Sequence, residues 1–177
     1  MLFRSHIGSG VARVGKAFGM KVVCWGREGS LAKAKAEGYE VAASREAFFE
    51  QCDVISLHIK SNDATRGIIT AADLARMKPT SLLVNTSRAP IIEDGALVDA
   101  LKKGRPGFAA VDVYEEEPVI GGNHPLLKLK NALCAPHLGY SEHGSYEHIY
   151  ESGVEQLLAY AAGKPINVLN PNVVAKK

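Results

Sequence analysis

Apolar and polar positions alternate along the chain with two periods. Ile7, Val11, Val14 and Phe18 recur at i, i+4, i+7 and i+11, which predicts one apolar helical face ending at Gly19. "KVVCW" follows as a nearly continuous apolar strand. Ser30 is then expected to cap a short helix, "LAKAKAE", closed by Gly38, before the strand "YEVA". Ser44 is expected to cap "REAFFEQC", and "DVISLHI" reads as a buried strand. Thr70 with Asp73 has the spacing of a capping box at the start of "AADLARM", which Pro79 brings to an end. "SLLVNTS", the helix "EDGALVDALKKG" ending at Gly104, "GFAAVDVY" and "NALCAPH" continue the alternation. Ser141 or Glu142 opens the longest helix, with Tyr146, Tyr150, Val154, Leu157 and Ala161 on its apolar face.

Buried strands separated by short helices predict an α/β fold: a doubly wound parallel sheet with helices on both faces. A 177-residue chain with 46% hydrophobic content is expected to form one domain, residues 1–177, with 164–177 as an extended tail around Pro165 and Pro171. Ligands in such sheets bind beyond the carboxyl ends of the strands. The polar residues at those ends are Gly26-Arg27, His58, Thr86-Ser87-Arg88, Asp112 with Glu115 to Glu117, and His137.

Charge and cysteine usage narrow the function classes. A net charge of +2 with interspersed signs gives no nucleic-acid groove and no polybasic membrane patch. Cys24, Cys52 and Cys134 are widely spaced, without a CxxC, and read as free thiols in a reducing cytoplasmic compartment. His143 and His148 lack metal-ligand spacing, so no metal site is expected. Trp25 reads as core or as the wall of an adenine pocket.

Three motifs, "VNTSRAPIIEDGALVDALKKG", "AAVDVYEEEPV" and "HPLLKLKNALCAPHLGYS", appear in order and resemble the C-terminal, dinucleotide-binding half of the D-isomer-specific 2-hydroxyacid dehydrogenases. The resemblance runs from about Ile7 to the end of the chain. It implies a Rossmann-type fold and NAD(P)-linked interconversion of a 2-keto acid and a D-2-hydroxy acid. Arg88 is then the substrate-binding arginine, Glu117 the acidic partner and His137 the acid/base. Implied cofactor contacts are Ile7, Gly8, Gly26, Arg27, His58, Thr86, Ser87, Asp112 and Gly139, and a homodimer is implied as well. Tyr140, just past His137, is expected to shape the pocket wall.

These residue types suit the chemistry. Histidine exchanges protons near neutrality. A neighbouring carboxylate favours imidazolium and orients the ring, and the arginine fork binds both oxygens of a substrate carboxylate. Each residue taken singly has a plainer role: an ion pair for Arg88, a solvated loop for Glu117, a strand-end hydrogen bond for His137. An acid usually ends the second strand and binds the ribose of NAD, but Gly26-Arg27 stands there. "GR" at this place resembles the NADP-preferring glyoxylate/hydroxypyruvate reductases, which favours NADP over NAD.

One part of the pattern departs from the family. A dinucleotide unit opens with a buried strand and G-x-G-x-x-G, yet the first two glycine positions hold Phe3 and Ser5, and only Gly8 remains. The expectations are a first strand reduced to Met1 and Leu2, residues 1–6 of non-family origin, no substrate domain, and impaired turnover by the chain alone. A non-enzymatic module that senses dinucleotide and binds protein, or a degenerate truncated product, stands as the alternative.

Overall fold

The computed structural model describes residues 6–174. The expectations for Phe3, Ser5 and the first strand lie outside the described residues. The chain divides into two compact units, with the boundary between Leu138 and Gly139.

The first unit is a parallel α/β fold. Its elements are α1 (His6–Ala17), β1 (Val23–Cys24), α2 (Glu28–Ala36), β2 (Glu40–Val41), α3 (Arg45–Gln51), β3 (Val54–Leu57), α4 (Ala71–Arg76), β4 (Leu82–Asn85), α5 (Ala96–Lys102), β5 (Phe108–Val111) and β6 (Ala132–Cys134). β3, β4, β5 and β6 pair in that order, all parallel, with Leu57 opposite Asn85 and Asn85 opposite Val111. β1 pairs in parallel with β2 alone. Among the described residues the strands therefore form two separate parallel sheets, β1 with β2 and β3 to β6.

Local chemistry explains the element ends. Ser44 accepts the Ala47 N–H at 3.1 Å and so starts α3. Thr70 and Asp73 form the reciprocal capping box of α4. The expected cap at Ser30 is wrong by three residues: α2 begins at Glu28 after Arg27, and Ser30 lies inside the helix. Arg27 offers no side-chain cap, so the first-turn Glu28 and the helix dipole favour the start there instead. Gly104 takes φ 74 after α5, the left-handed stop its position predicted. Gly107 answers a different need: a Cβ there would sit 1.9 Å from the Pro79 carbonyl oxygen, so only glycine lets β5 begin against that loop.

Phe48, Phe49, Ile55, Leu57, Leu74, Leu83 and Ile91 form the main core. Ala12, Cys24 and Ala34 form a smaller cluster joining α1, β1 and α2. Successive β1 residues, Val23 and Cys24, fall in the two different clusters, as the alternation of a strand requires.

Two apolar helical faces read from the sequence are exposed. Ile7, Val11, Val14 and Phe18 are 69%, 41%, 56% and 81% exposed, whereas α1 buries Gly8, Ser9 and Ala12. Small residues let the helix backbone approach β1 closely, and the bulky stripe turns outward. The second unit carries α6 (His143–Ala161) and α7 (Pro171–Val174), the latter a helical turn within the tail expected to be extended. Glu142 caps α6 by accepting the Gly144 and Ser145 N–H groups, but Tyr146, Tyr150, Val154 and Leu157 are exposed rather than core. Periodicity fixes which residues share a face, not what covers it. Among the described residues no helix is long and apolar enough to cross a membrane.

Candidate active site

The carboxyl ends of β4, β5 and β6 deliver the three predicted groups. Beyond β4, the buried Asn85 organises the turn: its Oδ1 accepts the Ser87 N–H at 3.1 Å and its Nδ2 donates to the Arg88 carbonyl at 3.1 Å. Ser87 Oγ donates to the Leu57 carbonyl at 2.7 Å, which ties this turn to the end of β3. Arg88 is thereby presented with an exposed side chain, one Nη donating to the Ser87 carbonyl at 2.6 Å.

Beyond β5, Glu117 is fixed at both oxygens. Oε1 accepts the Tyr114 N–H at 2.8 Å, and Oε2 meets His137 Nδ1 at 2.6 Å. The Tyr114 hydroxyl in turn donates to the Ala135 carbonyl at 2.9 Å, joining the β5 loop to the chain that leads to His137. Partial burial raises the Glu117 carboxyl, but the Tyr114 N–H, the His137 bond and the Arg88 charge outweigh it and hold the group below the usual glutamate range. Glu117 is therefore an ionised acceptor at neutral pH, and His137 donates from Nδ1. His137 itself adopts φ 56, an uncommon conformation for a residue with a Cβ, and one that clusters at functional sites.

A cleft of about 360 Å³ opens beside Arg88 and also brings together Ile7, His58, Thr86 and Ser87. His58 is buried, its Nε2 lies 2.9 Å from Ser56 Oγ, and burial pushes its pKa down. Gly8 lies buried in the first turn of α1, next to Ile7.

Five predicted contacts do not line this cleft: Gly8, Gly26, Arg27, Asp112 and Gly139. Gly26 and Arg27 stand at the end of β1, with Arg27 exposed at the start of α2. Asp112 is buried, and its Oδ1 accepts the Leu138 N–H at 2.8 Å, which anchors the backbone next to His137. Gly139 is exposed in the second unit, as is Tyr140, whose ring lies 6.5 Å from that of Tyr146. A larger cavity of about 540 Å³ is floored by Ile92, Leu97, Val113 and Leu126 and contains none of Arg88, Glu117 and His137.

Sequence reasoning missed Asn85, Tyr114 and Lys60. Asn85 had a readable signal, an amide side chain ending a buried strand. Tyr114 acts on Glu117 through its backbone N–H, and no residue type announces that.

The family model described as the D-isomer specific 2-hydroxyacid dehydrogenase NAD binding domain matches residues 4–139. A glyoxylate reductase of Aeropyrum pernix is 40% identical over 175 residues, covering 98% of this chain and 52% of the relative. The solved structure of an oxidoreductase from Ralstonia solanacearum superimposes with TM-score 0.91 at 49% identity, over 98% of this chain and 50% of that one. A phosphoglycerate oxidoreductase from Vibrio cholerae gives TM-score 0.84 at 50% identity, over 89% of this chain and 50% of that one. The chain spans about half the length of the curated relatives it matches.

Proposed function

We propose, from the premise that this chain belongs to the D-isomer specific 2-hydroxyacid dehydrogenase family through its NAD-binding domain, that its cleft serves NAD(P)-linked reduction of a small 2-keto acid to the D-2-hydroxy acid. The observation that carries this reading is the 2.6 Å His137–Glu117 pair, which joins the ends of β6 and β5, with β5 next in the sheet to β4, the strand whose end presents Arg88. The glyoxylate reductase name of a relative points to glyoxylate and its small homologues as substrates.

The chain's own groups have distinct tasks. Arg88 binds the substrate carboxylate through its planar fork and fixes which face of the keto carbon is presented. Glu117, ionised and held by the Tyr114 N–H, keeps the His137 ring in one tautomer and one orientation. With Nδ1 committed to Glu117, proton transfer to the developing alkoxide oxygen falls to Nε2. Reduced nicotinamide, when bound, supplies the hydride that reaches C2. The cleft fits such a group chemically, since no carboxylate lines it to repel phosphates. Ile7, Gly8, His58, Thr86 and Ser87 are the residues that would hold it. In the reverse direction His137 takes the hydroxyl proton.

For the dinucleotide, we read NADP over NAD. No acid ends β1, and among the described residues Arg27 forms no ion pair. Arg27→Met is expected to weaken NADPH binding roughly tenfold and NADH binding less than about twofold, as loss of one charge-assisted contact to a 2′-phosphate requires. Equal losses for both cofactors would remove Arg27 from the selection. We also place the chain in the cytoplasm, on its unpaired thiols. A homodimer is in keeping with the exposed apolar face of α1.

The reading is tested by loss of nicotinamide absorbance with NADPH or NADH, glyoxylate or hydroxypyruvate, and protein in stoichiometric excess. Oxidation of the cofactor that requires both the keto acid and His137 supports it. No oxidation with any pairing overturns it.

A further inference from the structure

The cleft beside Arg88 holds a second cation that the proposed reaction does not use. Lys60 and Ser61, just past β3, line it together with Thr86, Ser87 and Arg88. Among the described residues Lys60 forms no ion pair, and although the Arg88 charge reaches Glu117, no carboxylate lines the cleft that the two cations share. Like charges placed together cost free energy unless an anion completes the set.

The backbone beneath Lys60 is fixed rather than free. Thr65, 1% exposed, donates from Oγ1 to the Lys60 carbonyl at 2.7 Å and accepts the Asn62 N–H at 2.9 Å. The loop after β3 is thus pinned at its base while the ammonium stem remains exposed. Hydroxyls of Ser61, Thr86 and Ser87 stand in the same lining. Ile7 places the first turn of α1 there as well, a turn that carries no acidic residue.

We propose that Lys60 is a specificity-determining residue: its ammonium binds a second anionic oxygen group, beside the carboxylate taken by Arg88. The inference rests on the proposed function only for the role of Arg88. Two sources carry the required chemistry, the diphosphate of the dinucleotide and a second acidic group on the keto acid.

The test uses the full chain, isotopically labelled, titrated with inorganic pyrophosphate and followed through its amide resonances. Saturable shifts are expected at residues 59–61 and 86–88. Lys60→Met is expected to weaken pyrophosphate about tenfold, Lys60→Arg to stay within about threefold of the native chain, and Lys33→Met on α2 to change nothing. Because the Lys60 side chain is exposed, an unchanged amide spectrum establishes that the variant is folded. The same variants titrated with NADH and with a 2-oxo dicarboxylate then assign the source: the ligand weakened by Lys60→Met is the one the ammonium holds. A cleft that binds pyrophosphate through Lys60 but never binds NADH rejects the dinucleotide reading and keeps this one. Equal pyrophosphate affinity in the native chain and Lys60→Met overturns the proposal, as does an equal loss in Lys33→Met.

Discussion

Replacing His137 with asparagine is expected to slow single-turnover reduction of glyoxylate by roughly a hundred- to ten-thousand-fold, with cofactor affinity unchanged within about twofold. The range is what a positioned general acid contributes, and His137 is the group placed to act as one. Its Nδ1 is held at 2.6 Å by a carboxylate that is itself fixed by the Tyr114 N–H. Asparagine can keep a hydrogen bond to Glu117 and favours positive φ more than most residues, so the fold is preserved while the titrating nitrogen is lost. A loss of cofactor affinity equal to the loss of rate would instead mark His137 as a binding group. Glu117 sets the acid side of the same measurement. Its carboxyl is held below the ordinary glutamate range, so its contact with His137 is complete above that range and is lost as pH falls through the depressed value. Glu117→Gln should flatten this acid limb.

Asp73→Ala is expected to destabilise the chain by about 3 kcal/mol, seen as a fall of roughly 6–12 °C in Tm. Asp73 is a hub with its side chain only 7% exposed. It accepts Arg45 Nε at 2.7 Å and Nη2 at 2.6 Å, together with the Thr70 N–H at 2.7 Å and hydroxyl at 2.8 Å. Arg45 also donates to the Ile68 carbonyl. Removal of the carboxylate breaks the α4 capping box and leaves the guanidinium without its anion. Burial raises the Asp73 carboxyl, but Arg45 and Thr70 lower it further, and the net shift is downward. Its stabilisation is therefore present above the ordinary aspartate range and lost as pH falls through the depressed value. Thermal melts of the native chain and Asp73→Ala should converge as the solution is acidified. A gap that persists at low pH would contradict the charge-based account.

The legibility of the fold in the sequence varied with the kind of signal. Caps were readable where a side chain bonds its own neighbours, as Ser44 and the Thr70–Asp73 box do. Strand ends were readable because β3, β4, β5 and β6 are short apolar runs closed by polar residues. Arg88, Glu117 and His137 are thus legible in the sequence as residues beyond successive strands. Arg27 displaced Ser30 at the start of α2 because the dipole and Glu28 act without a side-chain cap. Faces were less readable: on α1 the buried side consists of Gly8, Ser9 and Ala12, and nothing in a stripe of bulky residues says that it turns outward. Asp112 sits where the family resemblance puts a nicotinamide contact, and its Oδ1 accepts the Leu138 N–H, from a partner 26 residues away that local pattern cannot reveal. Lys60 is an ordinary loop lysine in sequence. Its meaning comes from the charges that the folded strands bring beside it.

Whether the cleft at the ends of β3 and β4 takes a dinucleotide is decided by calorimetric titration of the purified chain with NADH and, separately, NADPH. Saturable binding in the roughly micromolar range is expected, tighter for NADPH, and it weakens as salt is raised because cations hold the phosphates. Absence of binding by both cofactors, in a chain shown to be folded, contradicts the dinucleotide reading.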